Sequence, residues 1–323
     1  MARTEQPAGV AWRWSGAALG ASYAVPAAIV AATDVRKGLA LAVGVLPAAI
    51  TGLPSRRRGR LGLAGLGFPV GVPMVAGSLL AGVPALAVIA IALAGIGAAV
   101  AAARSPIGMM VMVLSLPLLG IGLSFTDFAT AVEVAGLMVA GSLWACAVSM
   151  LWPERAPPPK PPTVRPTLQY GVLLGLAGAT AAAIGFLADL EHVGWATGAA
   201  LLVMRPSEEM QRLRSVGRVL AVLAGALAGT ALVRATSSPG WYSIAVVAAL
   251  AAAAGTSGSR WYVAPAFTTA LVFLLLLYAE PENAAHRFNE RVLETVLGVG
   301  LAYLYGLAVP KLLARWRGRA RHA

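Results

Sequence analysis

The sequence of 323 residues is 59% hydrophobic and only 12% charged, with 36 glycines and a mean hydropathy of +0.77. With 13 acidic residues and three histidines it cannot cover the surface of an ordinary soluble enzyme, and its recurring long apolar stretches exclude disorder. The lone Cys146 excludes a disulfide scaffold or a cysteine-based metal centre. The net charge of +12 reads as arginine-rich loops of a membrane protein rather than as a nucleic-acid surface.

A membrane-crossing helix needs ~20 mostly apolar residues. By that ruler the chain holds twelve segments: 16–33, 38–54, 61–81, 84–102, 106–124, 130–152, 168–187, 193–204, 219–235, 241–256, 262–279 and 292–310. The segment 193–204 is short for a crossing. Runs this long and apolar do not alternate as barrel strands do, so the expectation is an all-α polytopic membrane protein. The apolar run near the N-terminus reads as a first span rather than a cleaved leader, because it has a partner later in the chain.

Charge sets the expected orientation. With the N-terminus inside, 20 of the 25 basic residues fall on the inner side, among them Arg56, Arg57, Arg58, Arg60, Arg205, Arg212, Arg214, Arg218 and Lys311. Nine of the 13 acidic residues fall on the outer side, giving +16 inside against −4 outside. Twelve spans with both termini cytoplasmic satisfy the positive-inside rule; an odd count scrambles it.

A repeat underlies the segments. At an offset of about 155–158 residues, Ala27-Ala28-Ile29 answers Ala182-Ala183-Ile184, Gly59-Arg60 answers Gly217-Arg218, and Gly67 answers Gly225. Further on, Arg104 answers Arg260, Glu133 answers Glu290, Gly141 answers Gly298, and Pro153 answers Pro310. The expected organisation is a first six-helix half (1–152), a proline-rich cytoplasmic linker (153–167), a second six-helix half (168–310) and a basic tail (311–323). An even number of spans per half makes the repeats parallel.

Catalytic and cofactor signatures are missing from the sequence: no phosphate loop, no His-Glu-x-x-His, no spaced Cys/His set and no nucleophile elbow. The expectation is a non-enzyme without cofactor or metal. Ionisable groups near or inside spans are costly and carry the functional candidates. His192 and Trp195 stand where the short segment begins, and a histidine there is a candidate for coupling proton movement to transport. Arg218 heads the segment 219–235, where a helix N-terminus and a guanidinium fork would act together on a carboxylate. Arg291 and Glu294 are i, i+3 neighbours able to pair along one helix. Gly225-x-x-x-Gly229 suits close helix packing. The basic tail suits anionic headgroups of the bilayer, and a second copy of the chain is a further candidate partner.

Five sequence features together carry a resemblance: His192-x-x-Trp195, Arg205-Pro206, Arg214-x-x-x-Arg218, Gly225-x-x-x-Gly229 and Arg291-x-x-Glu294-Thr295-x-x-Gly298. Over roughly 168–310 the chain resembles the fusaric acid resistance / aromatic acid exporter family of integral membrane proteins. Ala221 and Val222 depart from the Gly-Thr expected there, and the first half has no His-x-x-Trp. The resemblance implies secondary efflux of small, often aromatic, carboxylic acids across a bacterial-type plasma membrane. It makes His192, Trp195, Arg218, Arg291 and Glu294 the candidate substrate-binding residues. Two alternatives stand beside it. A major-facilitator-type transporter also has twelve spans in two halves, and Gly52–Arg60 resembles that family's basic loop without its Asp. A non-transporting scaffold for envelope-building enzymes would need no intramembrane charge.

Overall fold

The computed structural model describes residues 9–155, 164–259, 263–279 and 284–320. Residues 156–163 of the proline-rich segment, Arg260 and the last three residues lie outside them. The described chain is helical, with no strand among the described residues. In order the helices are α1 (Trp14–Ala31), α2 (Val35–Thr51), α3 (Arg57–Ala64), α4 (Phe68–Ala81), α5 (Pro84–Arg104), α6 (Pro106–Met110), α7 (Leu116–Gly122) and α8 (Phe128–Ser149). After the linker come α9 (Leu168–Leu187), α10 (Val193–Val203), α11 (Glu208–Ala235), α12 (Pro239–Gly255), α13 (Val263–Ala279), α14 (Ala284–Tyr303) and α15 (Val309–Ala320).

Local chemistry marks the ends. Asp34 accepts the Lys37 N–H ahead of α2, Ser105 the Gly108 N–H ahead of α6, and Thr167 the Tyr170 N–H ahead of α9. Proline occupies the first turn of α5, α6 and α12, where its missing N–H costs nothing. Inside a helix proline acts differently. Pro117 and Pro310 each deprive the carbonyl four residues earlier of its donor, and π-helical turns occupy those places, Val111–Ser115 and Leu304–Ala308.

Among the described residues seven helical runs are long and apolar enough to cross a membrane: 14–31, 57–81, 84–104, 128–149, 168–187, 208–235 and 285–315. Shorter apolar helices cover 106–122, 193–203, 239–255 and 263–275. Leu79, Leu86, Ile89, Leu93, Leu220, Leu227, Ile244 and Leu293 are all more than half exposed, an outward surface suited to acyl chains rather than water. The chain is a multi-pass membrane protein.

The helices gather into two compact units, each assembled from three stretches of the chain. The first unit comprises residues up to Gly71, Glu133–Lys160 and Leu220–Glu290; the second comprises Val72–Val132, Pro161–Val219 and Arg291 onward. In the first unit α1 lies along α12. Gly16 and Gly20 set the α1 backbone on the carbonyls of Ala254 and Leu250, so close that a Cβ at either position would collide. Its core is Tyr23, Leu39, Leu46, Tyr242, Leu250 and their neighbours. In the second unit α9 lies along α5, with Gly175 against Gly95 and the Ala92 carbonyl, over a core of Ile91, Met112, Leu116, Leu174 and Leu201.

Candidate functional site

The five candidate residues all fall in the second unit. Its centre is α10, only 11 residues long, or about 16 Å. Every residue from Val193 to Leu201 is buried, so the helix is enclosed on all sides by protein. Gly194 lets it approach the Gly120 and Ile121 carbonyls at the end of α7, and its N–H donates to Ser124 Oγ at 3.0 Å. On another side Gly298 of α14 rests on the Ala196 carbonyl and the Ala199 methyl, a contact any side chain would push apart.

That approach of α14 puts three of the candidates together. His192 sits at the N-cap of α10, and its imidazole stacks on the Trp195 indole at 4.1 Å between centroids and 17° between planes. The Arg291 guanidinium carbon stands 4.2 Å from the centroid of the Trp195 ring. Trp195 and Arg291 are each 6% exposed, so this cation–π contact is desolvated and contributes about 2 kcal/mol. Trp195 is therefore an interior residue, not a headgroup anchor. Glu294, just under one turn beyond Arg291, is fully buried, with Thr295 beside it almost so. On the same helix Arg287 pairs with Glu290 at 3.3 Å.

Arg218 departs from the sequence reading. It was expected at a helix N-terminus, but α11 begins at Glu208, ten residues earlier. At 1.5 Å per residue the guanidinium belongs to a point about 15 Å into the helix, beyond the reach of the free N–H groups of the first turn. Glu208 and Glu209 in that first turn, with Arg212 pairing to Glu208 at 2.6 Å, extend the helix through a stretch that charge alone marks as a loop. Arg218 is 6% exposed. Its Nε has no hydrogen-bond partner, and no carboxylate pairs with it among the described residues. Arg218 is not joined to the His192–Trp195–Arg291 stack by any hydrogen bond or ion pair among the described residues.

Gln211 was not singled out by sequence. It is fully buried and donates to the Ala302 carbonyl, fastening α11 to the end of α14. Ser215, four residues on, bonds back to the Gln211 carbonyl at 3.0 Å. Gln211, Ser215 and Arg218 thus share one buried stripe of α11, a polar stripe legible as i, i+4, i+7 spacing. Glu133, the first-half counterpart weighed from the repeat, is exposed on α8.

Residues 180–305 match the family described as fusaric acid resistance protein-like. The match takes in all five candidate residues and supports the resemblance drawn from the sequence. Comparison with curated proteins and with solved structures returned no match.

Proposed function

We propose that this chain is a secondary transporter exporting small organic anions, chiefly aromatic carboxylates, from the cytoplasm. The single observation that carries the reading is the buried Arg218 guanidinium without a carboxylate partner. A charge of that kind costs several kcal/mol when left alone in a low-dielectric interior, and an incoming carboxylate removes the penalty. The Trp195 indole, flanked by His192 and Arg291, keeps aromatic rings and a cation together in the same unit, the two kinds of group an aromatic carboxylate pairs with. Buried Glu294 supplies the group whose protonation would couple substrate release to a proton gradient. A scaffold would have no use for these interior charges.

The architecture we infer is twelve spans in two parallel six-helix repeats, both termini inside, in a bacterial-type plasma membrane. Support comes from the 20-to-5 split of basic residues and from a recurrence in packing. The first helix of each half lies along the fourth segment of the other, α1 on α12 and α9 on α5, through glycines 155 residues apart, Gly16 and Gly171, Gly20 and Gly175.

The test is efflux of radiolabelled benzoate from proteoliposomes with and without a proton gradient. Arg218→Lys keeps the charge and loses the bidentate fork, which lowers apparent affinity about 10- to 100-fold. Wild-type transport by Arg218→Lys would overturn the reading.

A further inference from the structure

A second anion site is built into the same unit, at the break between α10 and α11. A cavity of ≈ 340 Å³ opens there, walled by Tyr170, Leu173, Met204, Arg205, Leu307 and Pro310 among others. That volume is within the range of small-molecule sites. Arg205 is 6% exposed; one terminal nitrogen donates to the Met204 carbonyl at 2.7 Å, while the other, Nη2, is buried with no hydrogen-bond partner among the described residues. The Tyr170 hydroxyl, also buried, faces that guanidinium as a polar neighbour, and no carboxylate pairs with Arg205 among the described residues.

Charge at the cavity is one-sided. Arg214 is near enough to Arg205 to repel it, and burial pushes the Arg205 guanidinium below its ordinary value. The carboxylate at the rim is already engaged, since Glu208 holds Arg212 at 2.6 Å and Lys311 at 2.8 Å. The first turn of the 28-residue α11 opens on the same space and adds the positive end of a helix dipole. A buried guanidinium without a carboxylate partner among the described residues, a hydroxyl facing it and an apolar wall meet in one place.

We propose that this cavity binds an oxyanion head group, carboxylate or phosphate, carried on an apolar body that rests on Leu173, Met204, Leu307 and Pro310. Two sources share this chemistry, a free aromatic acid and an anionic lipid. The site is separate from the Arg218 reading and would stand if the protein moved nothing.

The full chain, purified in an uncharged detergent, is tested with two probes. Equilibrium dialysis follows labelled benzoate, and native mass spectrometry follows retained phosphatidylglycerol. Arg205→Gln should weaken at least one of them about tenfold or more. Loss of benzoate alone assigns the free acid, loss of the lipid alone assigns the headgroup, and loss of both assigns a site they share. Arg218→Lys should leave Arg205-dependent binding in place, which separates this proposal from the transport reading. Wild-type affinity of Arg205→Gln for both probes overturns it. If Arg205→Gln does not fold, Tyr170→Phe decides, because it removes only the hydroxyl that faces the guanidinium. Unchanged binding of both probes to Tyr170→Phe would then overturn the proposal.

Discussion

Each unit contains an arginine taken out of water, and the two are treated in opposite ways. In the first unit Arg60 is wholly buried and spends its guanidinium on four carbonyls: Pro54 at 3.0 Å, Ser149 and Trp152 at 2.6 Å, and Pro153 at 2.8 Å. It closes the C-terminal end of α8 onto the chain that leads into α3, satisfying acceptors that the helix cannot satisfy itself. In the second unit Arg218 has no such acceptors for its Nε. Residue type and burial are alike, so the difference lies in what the surrounding backbone offers. A buried cation is a fastener where the fold supplies oxygens and a receptor where it withholds them.

The largest expected effect breaks that comparison at its strong end. Arg60→Met should lower the stability of the first unit by about 3–5 kcal/mol, because four carbonyls lose their donors together. Arg218→Met should leave thermal unfolding in detergent unchanged or raise it, since an apolar side chain of similar length relieves a desolvated charge, while benzoate export is lost. Equal melting losses for the two variants would show that Arg218 is a fastener as well.

A smaller effect concerns what holds the stack together. Gly298→Val should separate α14 from α10 at about 2–4 kcal/mol and take Arg291 off the indole, read as lost tryptophan quenching and lost transport. Gly300→Val, two residues on and with open space where a Cβ would go, should do neither. The mildest substitution is Trp195→Phe. A smaller ring keeps the packing but weakens the cation–π contact by ~1 kcal/mol, so stability should fall by about that much, read as a small drop in melting temperature in detergent.

Much of the helical layout was legible because an apolar chain declares its segments by length. The short segment expected at 193–204 is α10, 193–203, and the one expected at 168–187 is α9 with the same bounds. Helix ends beside charge were less legible. Hydropathy started one span at 219 and another at 292, yet the helices begin at Glu208 and Ala284, because charged residues extend a helix past its apolar core through i, i+4 pairs and dipole matching. Helix partners were not legible at all. Where every helix is equally apolar, hydropathy cannot say that α1 lies on α12, more than 200 residues away; small residues and backbone fit decide it. The site was half legible for the same reason. His192, Trp195 and Arg291 stood out by type, whereas the contact that unites them runs through Gly298, and the isolation of Arg218 depends on what is missing around it.

The π-helical turn at Leu304–Ala308 has a bearing on deletions rather than substitutions. Such a turn holds one residue more than the α-helical path it replaces, so it offsets the angular phase of everything downstream by about 100°. Lys311 meets Glu208 at 2.8 Å with that phase in place. Excising a single residue from the turn would regularise the helix and leave its hydrogen-bond ladder unbroken. The cost would fall on angular register: α15 would turn a different flank toward α11, and the ammonium would swing away from its carboxylate. Length and phase are thus uncoupled at this point of the chain, and evolution can add or drop one residue here to re-aim the last helix without dismantling it.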